Sequence, residues 1–275
     1  MLVRGTNKVA KSDYLLEMRH IQKSFGAVVA LTNGCVRAKS GEVNALIGGN
    51  GAGKSTLIKI LSGYQPCDAG DILFNGEKVE IHSTTEAQEL GIKTIYQELA
   101  LFEKMNVYEN MYVGRELTID KKPFKWLKIL DLKTMKANAL AEIQRMGFNI
   151  PNIFNRVMFM SGGQRQAIAC AKALMGGAPS VLIMDEPTAA LGVKEGREII
   201  DLMKRYRDEG AAIILISHNM RTVFDVASEI TVMRLGETVA ALRKEDTDED
   251  EVVGLMTGSI DTITDERNLL GEYDM

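Results

Sequence analysis

The sequence predicts an α/β fold: a mostly parallel sheet with an antiparallel β edge and an inserted α-helical subdomain. Three observations lead there. Short buried-strand runs at Val43–Ile47, Lys93–Tyr96, Val181–Met184 and Ala211–Ser217 alternate with helical patterns, the signature of a mostly parallel sheet. The segment LFNGEKV centres Asn75-Gly76 in a tight two-residue hairpin. Between roughly Glu98 and Phe159 the strand pattern disappears and apolar residues recur at helical spacing.

Taken in order, residues 1–13 read as an N-terminal extension and residues 14–258 as a single domain. Tyr14–Phe25 and Ala27–Val36 read as strands and, with the hairpin, form the antiparallel edge. Residues 14–97 and 177–258 make the core with this edge, and residues 98–176 make the helical subdomain, in which Leu132–Met146 is the clearest helix. Met105, Met111, Met135, Met146, Met158, Met160 and Met175 cluster here. Flexible core filler and an adaptable docking groove both fit that clustering. Residues 259–275 form an acidic C-terminal tail, and the acidic run before it reads as solvated surface.

Composition narrows the function classes. The 275 residues include 45% apolar and 25% charged residues, enough to bury a core. Lys and Arg total 33 against 37 Asp and Glu, so no global positive field gathers nucleic acid, and none is expected as a partner. Cys35, Cys67 and Cys170 are scattered, without zinc-site spacing or a disulfide framework, which fits a reducing cytosol. The N-terminus lacks a signal-peptide core, and no stretch approaches the ~20 apolar residues of a spanning helix.

The chemistry is concentrated in four places. In IGGNGAGKSTLIKI, Gly48, Gly53, Lys54 and Ser55 fit the spacing GxxxxGK[ST] between a strand and a helix. Gly48, Gly49, Asn50, Gly51, Ala52, Gly53, Lys54, Ser55 and Thr56 are therefore the candidate cradle for a nucleoside triphosphate. Backbone N–H groups and a helix N-terminus would face the phosphates. Lys54 would reach the β- and γ-phosphates, and the Ser55 hydroxyl would share Mg²⁺ with phosphate oxygens. Val181–Met184 delivers Asp185-Glu186 at a strand's C-terminal end, with Asp185 suited to hold Mg²⁺ through water and Glu186 to polarise an attacking water. The run Ala211–Ser217 delivers His218 at the matching position, as a γ-phosphate contact. Finally, MSGGQ (160–164) opens an alanine-rich helical pattern, so Ser161, Gly162 and Gly163 form a second helix-start anion site.

These parts, in this order, resemble the nucleotide-binding subunit of ATP-binding cassette transporters from about Leu15 to Gly258, with MSGGQ similar to that family's signature sequence. The resemblance implies a RecA-like phosphate-loop NTPase core, ATP and Mg²⁺ as ligands, and ATP hydrolysis. It implies that Phe25 stacks on adenine and that Gln97, in IYQELAL, is a lid-loop residue acting at the reaction centre and on the metal. It also implies that His218 is the switch histidine, and that Ser161, Gly162, Gly163 and Gln164 contact ATP bound to a second subunit in a head-to-tail dimer. GIKTIYQELALFEKMNVYENMYVGRE and DEPTAALGVKE look most like monosaccharide importers. The implied partners are a second cassette, expected to be a copy of this chain, membrane permease subunits and, indirectly, an extracytoplasmic solute-binding protein. The implied location is the cytoplasmic face of the cell membrane. Met160 stands where the signature has leucine, Gly192 where many relatives have aspartate, and Gly49 adds a further glycine to the loop. Two other readings are a soluble cassette ATPase and a nucleotide-dependent regulator uncoupled from transport. The intact Glu186 and His218 weigh against the regulator. A kinase or GTPase leaves the second glycine-rich helix start unexplained.

Overall fold

The computed structural model describes residues 13–119, 124–189, 191–261, 263 and 266–274. The chain opens with β1 (Leu16–Phe25) and β2 (Val28–Ala38), paired antiparallel. Then come β3 (Val43–Gly48), α1 (Lys54–Leu61), β4 (Ala69–Phe74), β5 (Glu77–Val79), α2 (Thr84–Glu89) and β6 (Ile92–Ile95). The helical stretch holds α3 (Val107–Tyr112), α4 (Leu132–Met146) and α5 (Gly162–Leu174). The chain then returns to the sheet through β7 (Val181–Asp185), α6 (Val193–Asp208), β8 (Ala212–Ile216), α7 (Met220–Val226), β9 (Glu229–Arg234), β10 (Glu237–Arg243) and α8 (Glu249–Thr257).

The strands form one sheet in the order β5-β4-β1-β2-β10-β9-β3-β8-β7-β6. Strands β3, β8, β7 and β6 pair in parallel, with β6, β7 and β8 each reached through a helical crossover. Leu46, with Leu57, Ile58, Ile60 and Leu61 of α1, packs on one face, while Ala45 and Ile47 pack against α7 and α8 on the other. Asn75 and Gly76, at φ 54° and 78°, link β4 to β5 as the two-residue hairpin the sequence predicts. Helix α4 matches its predicted span, with Asp131 accepting from the Thr134 N–H at its start and Gly147 in the left-handed region at its end.

Differences from expectation lie at edges and in the last quarter of the chain. Strand β1 begins at Leu16 rather than Tyr14, β2 runs on to Ala38, and β6 spans Ile92–Ile95 rather than Lys93–Tyr96. The β9–β10 hairpin and α8 have no counterpart in the sequence reading. The acidic run at Glu245–Asp250 is exposed, yet α8 buries Val252 and Leu255. Beyond Gly258 the chain packs back: Arg267 pairs with Glu251 at 2.8 Å, and Leu269 and Leu270 lie against Cys35 and Ala241. Met111, Met135, Met146 and Met160 are core filler, whereas Met158 is exposed.

A buried polar junction fixes the antiparallel edge to the core. Arg37 of β2 donates to Glu229 of β9 at 3.1 and 3.3 Å, and the Asn44 amide of β3 donates to the same carboxylate at 2.9 Å. The Tyr14 ring lies 4.0 Å from the guanidinium. Removing one partner of such a buried pair strands the other's charge, so Glu229→Ala is expected to lower unfolding free energy by roughly 3 kcal/mol, read as a shifted urea midpoint.

Candidate active site

The phosphate-loop residues follow β3 directly and end where α1 begins. Gly53 caps α1 at φ 101°, a left-handed conformation that a side chain would strain. A Cβ there would lie 2.6 Å from Leu31 Cδ2 and 3.0 Å from the Ala30 carbonyl, and a Cβ on Gly48 would strike the Met233 carbonyl. At Gly48 and Gly53 the loop therefore fits its neighbours only as bare backbone. Lys54 Nζ donates to the carbonyls of Gly48 at 2.7 Å and Gly49 at 3.1 Å, folding the ammonium back over the loop. Burial lowers its pKa, opposed by the charges of Glu186 and Asp185.

A cleft of about 430 Å³ opens on this loop, lined by Phe25, Val28, Val29, Ala30 and Asn50–Thr56. Phe25, Val28 and Val29 are 48%, 66% and 59% exposed, an apolar wall beside a polar floor. The sequence pointed to Phe25; the two valines were missed. Consecutive apolar residues directly after the Gly26 turn were the available signal.

Asp185 ends β7 opposite Ile216 of β8, and the Glu186 N–H donates to the Ile216 carbonyl at 2.9 Å. Burial first, and the neighbouring Glu186 second, push the Asp185 carboxyl above its ordinary range. Glu186 itself sits at φ 47°, unusual for a residue with a side chain and the kind of local strain that collects at functional positions. The His218 Nδ1–H donates to Glu186 Oε1 at 2.8 Å, leaving Nε2 on a ring that is 77% exposed. Glu186 and His218 thus come together, with Asp185 beside them and Lys54 within electrostatic reach of both carboxylates. Gln97 follows β6 and is exposed, and its neighbour Tyr96 is anchored by donating to Ser62 Oγ at 2.8 Å. Ser55, Asp185 and Gln97 offer only oxygen donors of the hard type that Mg²⁺ takes, and too few to hold it without phosphate or water.

Ser161, Gly162, Gly163 and Gln164 are not among the residues lining that cleft. Ser161 caps α5: its Oγ accepts from the Gln164 N–H at 3.2 Å, and Gln164 Oε1 accepts from the Ser161 N–H at 3.0 Å. This leaves the leading N–H groups of Gly162 and Gly163 without intrahelical carbonyls. At the other end, Lys93 Nζ donates to the carbonyls of Leu174, Met175 and Gly177 at 3.0, 3.0 and 2.7 Å. Asn110, fully buried, accepts from the Phe102 N–H and donates to the carbonyls of Phe102 and Asn106, fixing the segment that follows the Gln97 loop. Neither Lys93 nor Asn110 stands out in the sequence.

The family model described as ABC transporter matches residues 31–189. The xylose/arabinose import ATP-binding protein XylG of Sulfolobus acidocaldarius is 43% identical over 243 residues, 88% of this chain and 94% of that protein. The fructose import ATP-binding protein FrcA of Rhizobium meliloti is 42% identical over 246 residues, 89% and 94% of the two chains. The ribose import ATP-binding protein RbsA of Chromobacterium violaceum is 43% identical over 241 residues, but those residues span 46% of its length. A nucleotide-free ATP-binding cassette from an ABC transporter superposes with a TM-score of 0.73 at 24% identity, over 89% of this chain and 95% of that one, which shows a shared fold.

Glu186→Gln tests the carboxylate directly. It retains hydrogen bonding to His218 but loses basicity, so ATP turnover is expected to fall by about 10²-fold or more while ATP affinity stays within about twofold. Phosphate release and a nucleotide titration on the same sample check this, and parental turnover would remove Glu186 from the role of base.

Proposed function

The chain belongs to the ABC transporter family, and from that premise we propose that it is the ATP-hydrolysing subunit of a monosaccharide importer. The observation that carries the reading is the separation of two anion-seeking helix starts: the phosphate loop opens on the chain's own cleft, while Ser161–Gly163 caps α5 outside it. A chain with one complete phosphate cradle and one spare helix N-terminus is suited to pair head to tail. Each copy then supplies the second contact to the other's nucleotide. The sugar importers among its relatives favour a carbohydrate as cargo.

In this reading the adenine rests against Phe25, with Val28 and Val29 continuing the wall. The backbone of Gly48–Thr56 and the Lys54 ammonium bind the triphosphate. Ser55, Asp185 and Gln97 would hold Mg²⁺, which supplies charge neutralisation on the phosphate oxygens. Glu186 orients the water and accepts its proton, and His218, held through Nδ1 by that carboxylate, turns Nε2 toward the γ-phosphate. Closure of the dimer buries both nucleotides, so ATP stabilises the closed pair by mass action and hydrolysis releases it. Among the described residues no helix is long and apolar enough to cross a membrane, and in this reading a permease carries the coupling to transport. The helical subdomain (residues 98–176) is its docking region, Gln97 is the hinge, and the assembly works at the cytoplasmic face with an extracytoplasmic solute-binding protein supplying the cargo.

Ser161→Arg fills the spare helix start with a long cation. It is expected to abolish ATP-dependent dimerisation and at least about 90% of turnover while leaving ATP affinity of the isolated chain within about twofold. Lost affinity would instead place Ser161 in its own chain's site. The importer reading is tested by mild-detergent purification of the chain from membranes. A multi-spanning permease is expected at near-equal stoichiometry. Recovery with ribosomes or nucleic acid, or with no membrane protein at all, would overturn transport coupling and leave the ATPase assignment standing.

A further inference from the structure

Glu195 lies in the first turn of α6 and has no role in the site described above. Its side chain reaches across to α5. A Cβ on Gly163 would strike Glu195 Cγ and lie 3.0 Å from its Cβ, so the aliphatic stem rests directly on the Gly163 backbone. A Cβ on Gly192, the N-cap of α6, would lie 2.5 Å from Glu195 Oε2. One side chain therefore occupies the space that two glycines leave open, one in each helix start. Among the described residues none donates a hydrogen bond to the Glu195 carboxylate. The positive ends of α5 and α6 supply its charge compensation.

This contact joins two parts that the proposed mechanism needs to move together. Gly163 belongs to the segment offered to the second subunit's nucleotide, and Gly192 follows six residues after Glu186 on the loop leaving β7. We propose that Glu195 is a positioning residue whose stem sets the Ser161–Gly163 segment against the β7–α6 loop, in the orientation that receives the partner's nucleotide phosphate. The inference rests on the two-subunit reading above.

The test uses the full chain, with turnover read on parental Glu186 and dimerisation read on Glu186→Gln. Glu195→Ala removes the stem and is expected to lower turnover about tenfold and raise the protein concentration needed for ATP-dependent dimerisation about tenfold. ATP affinity of the isolated chain and the urea midpoint should hold at parental values, which a merely structural role would not allow. Glu195→Gln keeps the stem and should restore both readouts. Gly163→Ala should also lose about tenfold, and the double variant with Glu195→Ala should lose about tenfold rather than a hundredfold, because both changes break one contact. The proposal is overturned by losses that multiply, by a Glu195→Gln chain as impaired as Glu195→Ala, by parental turnover in Glu195→Ala, or by a drop in its midpoint that accounts for the loss. Failure of the underlying reading shows separately: a parental chain that neither dimerises with ATP nor responds to Ser161→Arg removes the two-subunit mechanism, and this proposal with it, before Glu195 is touched.

Discussion

The site depends on a phosphate loop made entirely of backbone at its points of closest approach and wedged between two strands of the sheet. Ala30 and Leu31 of β2 press on Gly53, and the end of β9 presses on Gly48. Gly236, in the turn between β9 and β10, donates its N–H to the Ala52 carbonyl at 3.1 Å and accepts from the Thr32 N–H at 2.9 Å. The loop is thus braced by the edge on one side and by the β9–β10 turn on the other. A cradle that must present successive N–H groups to phosphates cannot afford freedom, and here the neighbouring strands remove it before any ligand arrives.

That brace is only as firm as the junction between the edge and the parallel core. Strand β2 meets β10 through one backbone bridge, Glu237 with Asn33, and through the Thr238 hydroxyl, which accepts from the Cys35 N–H and donates to the Cys35 carbonyl, each at 2.8 Å. The Arg37, Glu229 and Asn44 cluster reinforces this, connecting β2, β9 and β3 at the end of the sheet away from the phosphate loop. Thr231 adds a further bond, donating to the Asn44 side-chain oxygen at 3.0 Å. Buried charge is a costly fastener, and it confers geometry more than stability: a carboxylate that satisfies an arginine and an amide together tolerates only one arrangement of the three strands.

Much of this was legible in the sequence, and the reason is period and chemistry. The runs that became β3, β7 and β8 are predominantly apolar because both faces are covered, Asn75-Gly76 dictates its turn, and Leu132–Met146 is flanked by its own cap residues at both ends. Asp185 and His218 were identifiable because each stands at the end of such a run, and Lys54 because it completes the phosphate-loop spacing that follows one. The β9–β10 hairpin was not, since the turn is Leu235-Gly236 and the flanking residues alternate weakly. Lys93 and Asn110 act through neighbours that no local pattern reveals, and nothing in the sequence around them marks them. Glu195 belongs with these, because its partner Gly163 lies 32 residues away on another helix.

Helix α5 shows how the fold separates holding from reaching. Its C-terminal carbonyls are gathered by the Lys93 ammonium from β6, where burial lowers the lysine pKa and the negative end of the helix keeps the charge welcome. Its N-terminal half does the reverse: the Ser161–Gln164 capping box consumes two N–H groups, and those of Gly162 and Gly163 remain for an outside acceptor. Between its two ends the helix is held along its length, with Gln166–Ala171 and Leu174 buried against the neighbouring elements. Lys93 of β6 and the anion-seeking residues therefore sit at opposite ends of one 13-residue helix. Gln97 lies two residues past the end of that same strand, so the strand that leads into Gln97 also carries the lysine that holds the C-terminal end of α5.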